Sequence, residues 1–434
     1  MNITKISDFL TSKNVDTYYK IYNKTQWYNK EEMKKFQLLK FQKLIEHCYN
    51  NVPFYRNFMI ENKISPVDIT SIEQVKIFPI VTKELIKEKY KDFTPLNLES
   101  IKGVKVKTTG GTTGNILFKR NDSNTRSSIW GTFKRFHDWM NIKEREKTLI
   151  LMGGHVIGKN RIDFLKKKLN NFLTNSISYS PYDTSEENIQ QIIHVLKTNK
   201  FSLLRSYSQF LFSLCLRLKS EGLTFNIKAI TTTAEPLMPE HRKLFTEIFN
   251  AQIFDQYGCG EIGGVAYECM EHNGLHVSEE RVYLEVNDLN QLIITDLDNY
   301  SMPFIRYFNA DEAILSNEKC SCGRESQLIK KIMGRTCDYV VGVNGEILHW
   351  AYFWHLIFDS KIATNNNLRK FQIVQTHKDK LKIRLVATPL SLEDEKIWIS
   401  NIKERMGKIN IEFSYEDDIE NSASGKYRPV ISNI

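Results

Sequence analysis

Residues 101–120 read IKGVKVKTTGGTTGNILFKR. Ile101 to Lys107 alternates apolar with polar side chains, the period of a strand. It runs into Thr108-Thr109-Gly110-Gly111-Thr112-Thr113-Gly114, where three glycines let backbone N–H groups approach an anion and four threonine hydroxyls add donors. A strand emptying into such a loop has the geometry of a phosphate site. The Lys-Ser/Thr ending of the Walker loop is missing, so a Gly/Thr-rich hairpin turn explains the same residues. Lys119 and Arg120 follow, placed either to favour phosphate or to face water.

Outward from this point strand and helix patterns alternate. Strands are expected at Lys147–Met152, Ala229–Thr233 and Ala251–Tyr257, with helical spacing over Ile189–Leu196, Ser206–Leu218 and Glu240–Phe249. This alternation predicts an α/β fold, a parallel or mixed sheet carrying helices. Upstream, residues 31–62 carry Phe36, Leu39, Phe41, Leu44, Ile45 and Cys48 at helical spacing, a core-facing stripe that stops near Asn50-Asn51-Val52-Pro53. Pro66 to Phe93 reads as short helices and loops. From about Val282 the signals turn to antiparallel strands at Tyr283–Val286, Gln291–Asp296, Phe304–Phe308 and Glu312–Leu315, a β-rich subdomain. After Arg335 the pattern restarts with strands Tyr339–Val343 and Phe371–Gln375, a helix over Leu392–Met406 and a last strand Ile409–Phe413. We expect a large domain over residues 1–334 and a small α+β domain over 335–434.

The composition excludes several classes of protein. With 434 residues, 41% hydrophobic and 26% charged, the chain can bury real cores. Sixty Lys and Arg against 51 Asp and Glu give a net charge of +9, interleaved along the whole length and without a basic arm. No zinc-finger spacing or aromatic RNA-binding motif accompanies it, so nucleic acid is not the expected partner. No apolar run approaches the roughly 20 residues of a membrane span, and residues 1–20 lack a secretory core. We expect a cytoplasmic protein. Seven cysteines, an odd number, argue against a disulfide framework.

Gln256-Tyr257-Gly258-Cys259-Gly260-Glu261 ends an apolar strand in a turn that delivers a carboxylate to the strand's C-terminal edge, where α/β folds place ligands. Glu261 is placed to hold Mg²⁺, or to serve as a solvated or capping residue. Further on come Thr295-Asp296-Leu297, then Met302 to Asp311 (MPFIRYFNAD), Gly334-Arg335-Thr336-Cys337-Asp338 and Ser424-Gly425-Lys426. In this order and spacing the elements resemble the adenylate-forming (acyl-AMP) ligase superfamily, and within it the phenylacetate-CoA ligase family with its capsule-biosynthesis relatives. LIEHCYNNVPFY at residues 44–55 and IFPIVTK at 77–83 look like that branch's N-terminal signatures.

The resemblance implies a large ATP- and acyl-binding domain and a mobile C-terminal one. It implies an enzyme that joins a carboxylic acid to AMP, with pyrophosphate leaving, and passes the acyl group to CoA or an amine or sugar acceptor. Thr109, Gly110, Gly111, Thr112, Thr113 and Gly114 would shield the ATP phosphates; Ala234, Glu235 and Pro236 would lie against adenine. Tyr257, beside Gly258, would stack near adenine or line the acyl pocket. Asp311 would hold the ribose hydroxyls and Arg335 ribose or phosphate oxygens, with Asp338 as the hinge pivot. Lys426 would be the catalytic lysine, acting with Glu261 and Arg335. The chain departs from the family pattern at Gly110, at Asn115-Ile116, at Gly260 and at Asn309-Ala310. Those departures admit a second reading, a catalytically degenerate nucleotide-binding scaffold descended from such a ligase.

Cys320-Ser321-Cys322 sets two thiols one residue apart, with Cys269 and His276 upstream. Three sulfurs and an imidazole suit tetrahedral Zn²⁺. Some members of the resembled family carry zinc on this arrangement, which implies a structural metal here. His272 is the competing imidazole, and Cys259 and Cys337 read as packing residues. For the acyl pocket the candidates are Met152 to His155, Arg205-Ser206-Tyr207-Ser208 and Thr231 to Thr233, with His155, Tyr207 and Tyr257 as the side chains of choice.

Overall fold

The computed structural model describes residues 14–108, 117–152, 169, 171–181, 183, 185–335, 339–349, 352–353, 356, 368, 370–420, 429–432 and 434. The chain divides into a large unit that ends at Met333 and a smaller one from Gly334 on.

Helices α1 (Val15–Thr25), α2 (Lys30–Asn51) and α3 (Pro53–Glu61) open the large unit. A capping box starts α2: the Asn29 side chain accepts from Glu32 N–H at 3.0 Å, and the Glu32 carboxylate accepts from Asn29 N–H at 3.0 Å. Of its apolar stripe, Phe41, Leu44, Ile45 and Cys48 are fully buried, as the helical spacing requires, whereas Phe36 is half-buried and Leu39, expected to face the core, is 60% exposed. Short 3-10 turns and α4 (Lys83–Glu88) follow. Strands β1 (Lys105–Thr108) and β2 (Phe118–Asn121) pair antiparallel with Thr108 opposite Phe118. The glycine-rich segment therefore joins the two strands of a hairpin, not a strand to a helix; residues 109–116 themselves lie outside the described residues.

Helix α5 (Ser123–Trp139) crosses beneath the main sheet. Nothing in its sequence announced it, because its buried face is largely polar: Thr125, Ser127, Ser128, Thr132 and Arg135 are all enclosed. Gly131 admits α1 to close range, since a Cβ there would lie 2.7 Å from Tyr18 Cβ.

Strands β3 (Thr148–Leu151), β4 (Ser176–Ser178), β5 (Leu203–Tyr207), β6 (Ala229–Thr233) and β7 (Gln252–Tyr257) run parallel, connected in part by α6 (Glu186–Thr198), α7 (Ser208–Ser220) and α8 (Pro239–Phe249). The helix expected from Ser206 thus begins at Ser208, after a buried strand that the sequence reading missed. Antiparallel strands continue the sheet: β8 (Ala266–Glu268), β9 (Leu275–Val277), β10 (Val282–Val286), β11 (Gln291–Asp296), β12 (Tyr307–Ser316) and β13 (Leu328–Arg335). Among the described residues the sheet has 11 strands, in the order β10-β11-β12-β13-β9-β8-β7-β6-β5-β3-β4. The two strands expected at Phe304–Phe308 and Glu312–Leu315 are one, β12; Arg306, at φ 51°, turns the chain into it. A buried Arg281–Asp296 pair, bidentate at 3.0 and 2.8 Å, fixes the β10–β11 hairpin.

In the small unit β14 (Tyr339–Val341) and β15 (Ile347–His349) form a hairpin. Strands β16 (Lys370–His377), β17 (Lys380–Val386), β18 (Asn410–Tyr415) and β19 (Val430–Ser432) form a sheet in the order β18-β17-β16-β19. Helix α9 (Leu392–Met406) buries Trp398, Ile402 and Met406. The expected last strand is not the last, because β19 follows it and inserts parallel to β16. No helix among the described residues is long and apolar enough to cross a membrane.

Candidate functional site

Parallel pairing aligns the C-terminal ends of β5, β6 and β7: Tyr207 lies opposite Thr233, and Thr232 opposite Asp255. The segments that leave these ends carry the expected ligand residues. After β6, Ala234 adopts φ 70°, and Glu235 accepts a bond from Gln209 N–H at 2.8 Å in the first turn of α7. After β7 the chain folds back sharply. Cys259 N–H donates to Ile262 O at 3.0 Å, and the Cys259 thiol accepts from Ile262 N–H at 3.3 Å. Gly264, at φ 68°, completes the turn where a Cβ would lie 2.9 Å from Thr132 Oγ1.

Glu261 sits inside this turn, 7% exposed, and no hydrogen bond to its carboxylate is present among the described residues. Lys119 on β2 is buried, not solvated, and donates to Glu261 O at 3.2 Å. Burial lowers its pKa from the ordinary lysine value, with Cys259 and Glu261 opposing. Facing the turn, Tyr257 Oη donates to Asp311 Oδ2 at 2.6 Å. Asn309 Nδ2 donates to the same oxygen at 2.8 Å and to Tyr257 Oη at 2.7 Å. Burial, then Asp311, holds the phenol far above its ordinary range, so it stays a donor. Ala310 between them takes φ 61°, a left-handed conformation that glycine adopts without the cost an alanine meets.

A second cluster lies at the far end of β8 and β9. Cys269 follows β8, His276 is on β9, and Cys320 and Cys322 occupy the turn between β12 and β13. Their ligand atoms all fall within 4.8 Å of one another. His276 Nδ1 bonds Ser326 Oγ at 2.8 Å, which leaves Nε2 facing the cluster, 3.4 Å from Cys322 Sγ. Burial, then Arg324 and Arg135, lowers the imidazole pKa to about 4, keeping a neutral lone pair available. His272 is not part of this set: its Nδ1 lies 3.2 Å from Glu268 Oε1.

Residues 343–433 match the CapK C-terminal domain family. The phenylacetate-coenzyme A ligase of Thermus thermophilus is 23% identical over 345 residues, 73% of each chain. That of Pseudomonas putida is 23% identical over 341 residues, 72% of this chain and 73% of the other. Among solved structures, 2-hydroxyisobutyryl-CoA ligase in complex with R3-HIB-AMP matches at TM-score 0.74, with 17% identity, over 94% of this chain and 91% of that one. The o-succinylbenzoate CoA synthetase of Bacillus subtilis matches at TM-score 0.51, with 13% identity, over 75% and 67%. In sequence the chain is similar to phenylacetate-coenzyme A ligases, and in fold to adenylate-forming CoA ligases.

The fold bonds Tyr257 to Asp311, sets Gly258 and Glu261 in the turn that follows Tyr257, and brings together the four metal-ligand candidates. Thr109 to Gly114, His155, Asp338 and Lys426 lie outside the described residues, as does Cys337. Arg335 ends β13, with its backbone alone described. Tyr207 stands at the junction of β5 and α7. Cys259 packs on the core, as expected of a spare thiol. The sequence reading missed Ser326 as the partner of His276 and took Asn309 only as a departure. The Asn-x-Asp spacing was the signal for the latter; a lone serine gives none.

Proposed function

We propose that this ligase activates a carboxylic acid with ATP, forming an acyl-adenylate and pyrophosphate, and then transfers the acyl group to CoA or an amine acceptor. A carboxylate is a poor electrophile, and its mixed anhydride with AMP is a good one. The acid's oxygen attacks the α-phosphorus and pyrophosphate leaves, with no covalent enzyme intermediate. Catalysis then rests on positioning and on charge stabilisation. The observation that carries this reading is the enclosed Glu261 carboxylate, without a hydrogen bond among the described residues, in the turn that follows Tyr257, together with the Tyr257 and Asn309 bonds that hold Asp311.

Asp311, held by Tyr257 and Asn309, binds the ribose hydroxyls. Thr109 to Gly114 cradle the phosphates, Ala234 to Pro236 line the adenine, and Arg335 binds ribose or phosphate oxygens. Glu261 would hold Mg²⁺, which when bound offsets the charge of the departing pyrophosphate. Lys426 neutralises charge at the attacking carboxylate. Rotation about a hinge at Asp338 withdraws it for the transfer step. Cys269, His276, Cys320 and Cys322 would hold a structural Zn²⁺ that ties the β8–β9 hairpin to the β12–β13 turn; three thiols and a neutral imidazole fit that ion. The CapK C-terminal match favours a role in capsule or surface-polysaccharide synthesis.

The test is product analysis by mass spectrometry after incubation with ATP, Mg²⁺ and a pool of acids, with CoA and amines added separately. AMP and pyrophosphate with an acyl-AMP, thioester or amide mass are expected. ADP with phosphate would sink the mechanism.

A further inference from the structure

Arg205 stands on β5, two residues short of its C-terminal end. Pairing sets it beside Thr231 of β6, which lies beside Phe254 of β7. Residues in register on neighbouring strands share a sheet face, so these three project to one side. Helix α5 covers that side: Phe136 packs with Phe254, and the Phe133 ring lies 4.8 Å from the Arg205 guanidinium.

Among the described residues Arg205 has no hydrogen bond or ion pair, and its Nε is enclosed without a partner. The residue as a whole keeps part of its surface accessible, although its strand is internal to the sheet. Thr231, 2% exposed, also has its Oγ1 enclosed without a partner. Among the described residues, the ionisable groups around the guanidinium are Tyr267, a buried phenol, and His137, whose imidazole burial and then Arg205 lower to about 3. Neither supplies a negative charge. Other enclosed arginines find protein partners: buried Arg281 holds Asp296, buried Arg135 holds Glu280, buried Arg126 donates to the Gly103 and Asn121 carbonyls, and half-buried Arg242 holds Glu268 at 2.9 and 3.0 Å. A guanidinium cannot escape burial by losing its proton. Leaving it unpaired is costly unless the counter-ion arrives from outside.

The place fits a ligand. Two residues of strand, about 7 Å, separate Arg205 and Thr231 from the sheet edge where Tyr257 and Glu261 gather. We propose that Arg205 and Thr231 form the floor of the acyl site and bind a second carboxylate of the substrate, so that the acid activated is a short dicarboxylate. This rests on the acyl-adenylate reading above. Arg205 donates its fork to the distal carboxylate, Thr231 adds a hydroxyl, and the proximal carboxylate stays free to attack.

The test is calorimetric titration of the full chain, saturated with a non-hydrolysable ATP analogue, using linear diacids of rising length and their half-amides. One diacid is expected to bind at least about tenfold more tightly than its half-amide. Arg205→Met should erase that preference and melt no lower than the parent, because it removes an unpaired charge. Arg205→Lys should keep the preference at reduced affinity. Equal binding of diacid and half-amide, no diacid binding, or a preference that survives Arg205→Met would overturn the proposal. AMP release is measured separately. Arg205-dependent binding without AMP would count against the ligase reading alone, whereas AMP formed only from monocarboxylic acids would overturn the dicarboxylate site and leave the ligase reading standing.

Discussion

Tyr257 Oη and Asp311 Oδ2 meet at 2.6 Å and so join the end of a parallel strand to the middle of an antiparallel one. The bond orients a carboxylate that has Asn309 as its second donor. Asp311→Ala should weaken ATP binding about 10–100-fold, the loss of charge-assisted bonds to two hydroxyls. Tyr257→Phe removes the orienting bond and the hydroxyl that accepts from Asn309, leaves the Asp311 carboxylate in place, and should cost less, about threefold to tenfold. Because the two residues share one interaction, the double variant should fall short of the product of the singles. Nucleotide titration of the four proteins checks this, and strict additivity would show that Tyr257 does not position Asp311.

The thiol–imidazole cluster predicts a metal content. Purified protein should carry about one zinc per chain by elemental analysis, a full tetrahedral set having four ligands. Cys320→Ser should lose the zinc and lower the melting temperature, and a chelator should do the same to the parent. Ser326→Ala, which frees His276 Nδ1, should weaken zinc binding about tenfold or more. His272→Ala should leave zinc content unchanged, since that ring faces Glu268. Metal-free protein with an unchanged melting curve would remove zinc from the fold.

The parts of this molecule that were legible in the sequence are those written in a single period. Most of the α2 stripe, strands β6 and β7, and helix α9 fall where spacing places them, Leu39 being the stripe's exposed exception. Helix α5 was hidden because its buried face is largely serine, threonine, glycine and arginine, some of which find their partners far along the chain, at Asp298 and Glu280. Strand β5 was absorbed into the following helix, since a short buried strand and a buried helical turn carry the same apolar residues. The site was legible by motif order. Its geometry was not: that Asn309 substitutes an amide for a hydroxyl, and that Lys119 turns inward to Glu261, depend on contacts made across more than 50 residues.

Asp255 predicts how stability depends on pH. Burial, and then neighbouring Glu268, raises its carboxyl pKa to about 7. The folded chain therefore keeps a proton that the unfolded chain loses near pH 4, about its ordinary value. Stability from this group is present below pH 4 and declines as pH rises to about 7, with no further change above. Asp255→Asn preserves the Oδ1 acceptor for Thr232 Oγ1 and Gln256 N–H, each at 2.9 Å, and removes the buried charge. Its melting temperature relative to the parent should rise by several degrees between pH 5 and pH 8. A constant difference across that range would show that the carboxyl titrates normally.

In the mechanism proposed above, Lys426 acts in only one of the two half-reactions. The first step brings an anionic carboxylate against an anionic triphosphate, so a positioned ammonium is needed most where negative charge gathers at the α-phosphorus. The second step consumes a mixed anhydride that is already activated, and there the lysine has no charge to neutralise. Lys426→Ala should thus lower acyl-adenylate formation about 10²–10³-fold, while ATP still binds with near-parental affinity. Acyl transfer from a presynthesised acyl-adenylate should keep most of its rate. The conservative Lys426→Arg variant should recover adenylation only in part, because a planar fork does not replace a compact point charge. Equal loss in both half-reactions would mean that Lys426 supports the fold of the C-terminal unit instead of the chemistry, and a melting curve recorded beside the assays separates that outcome from a direct role.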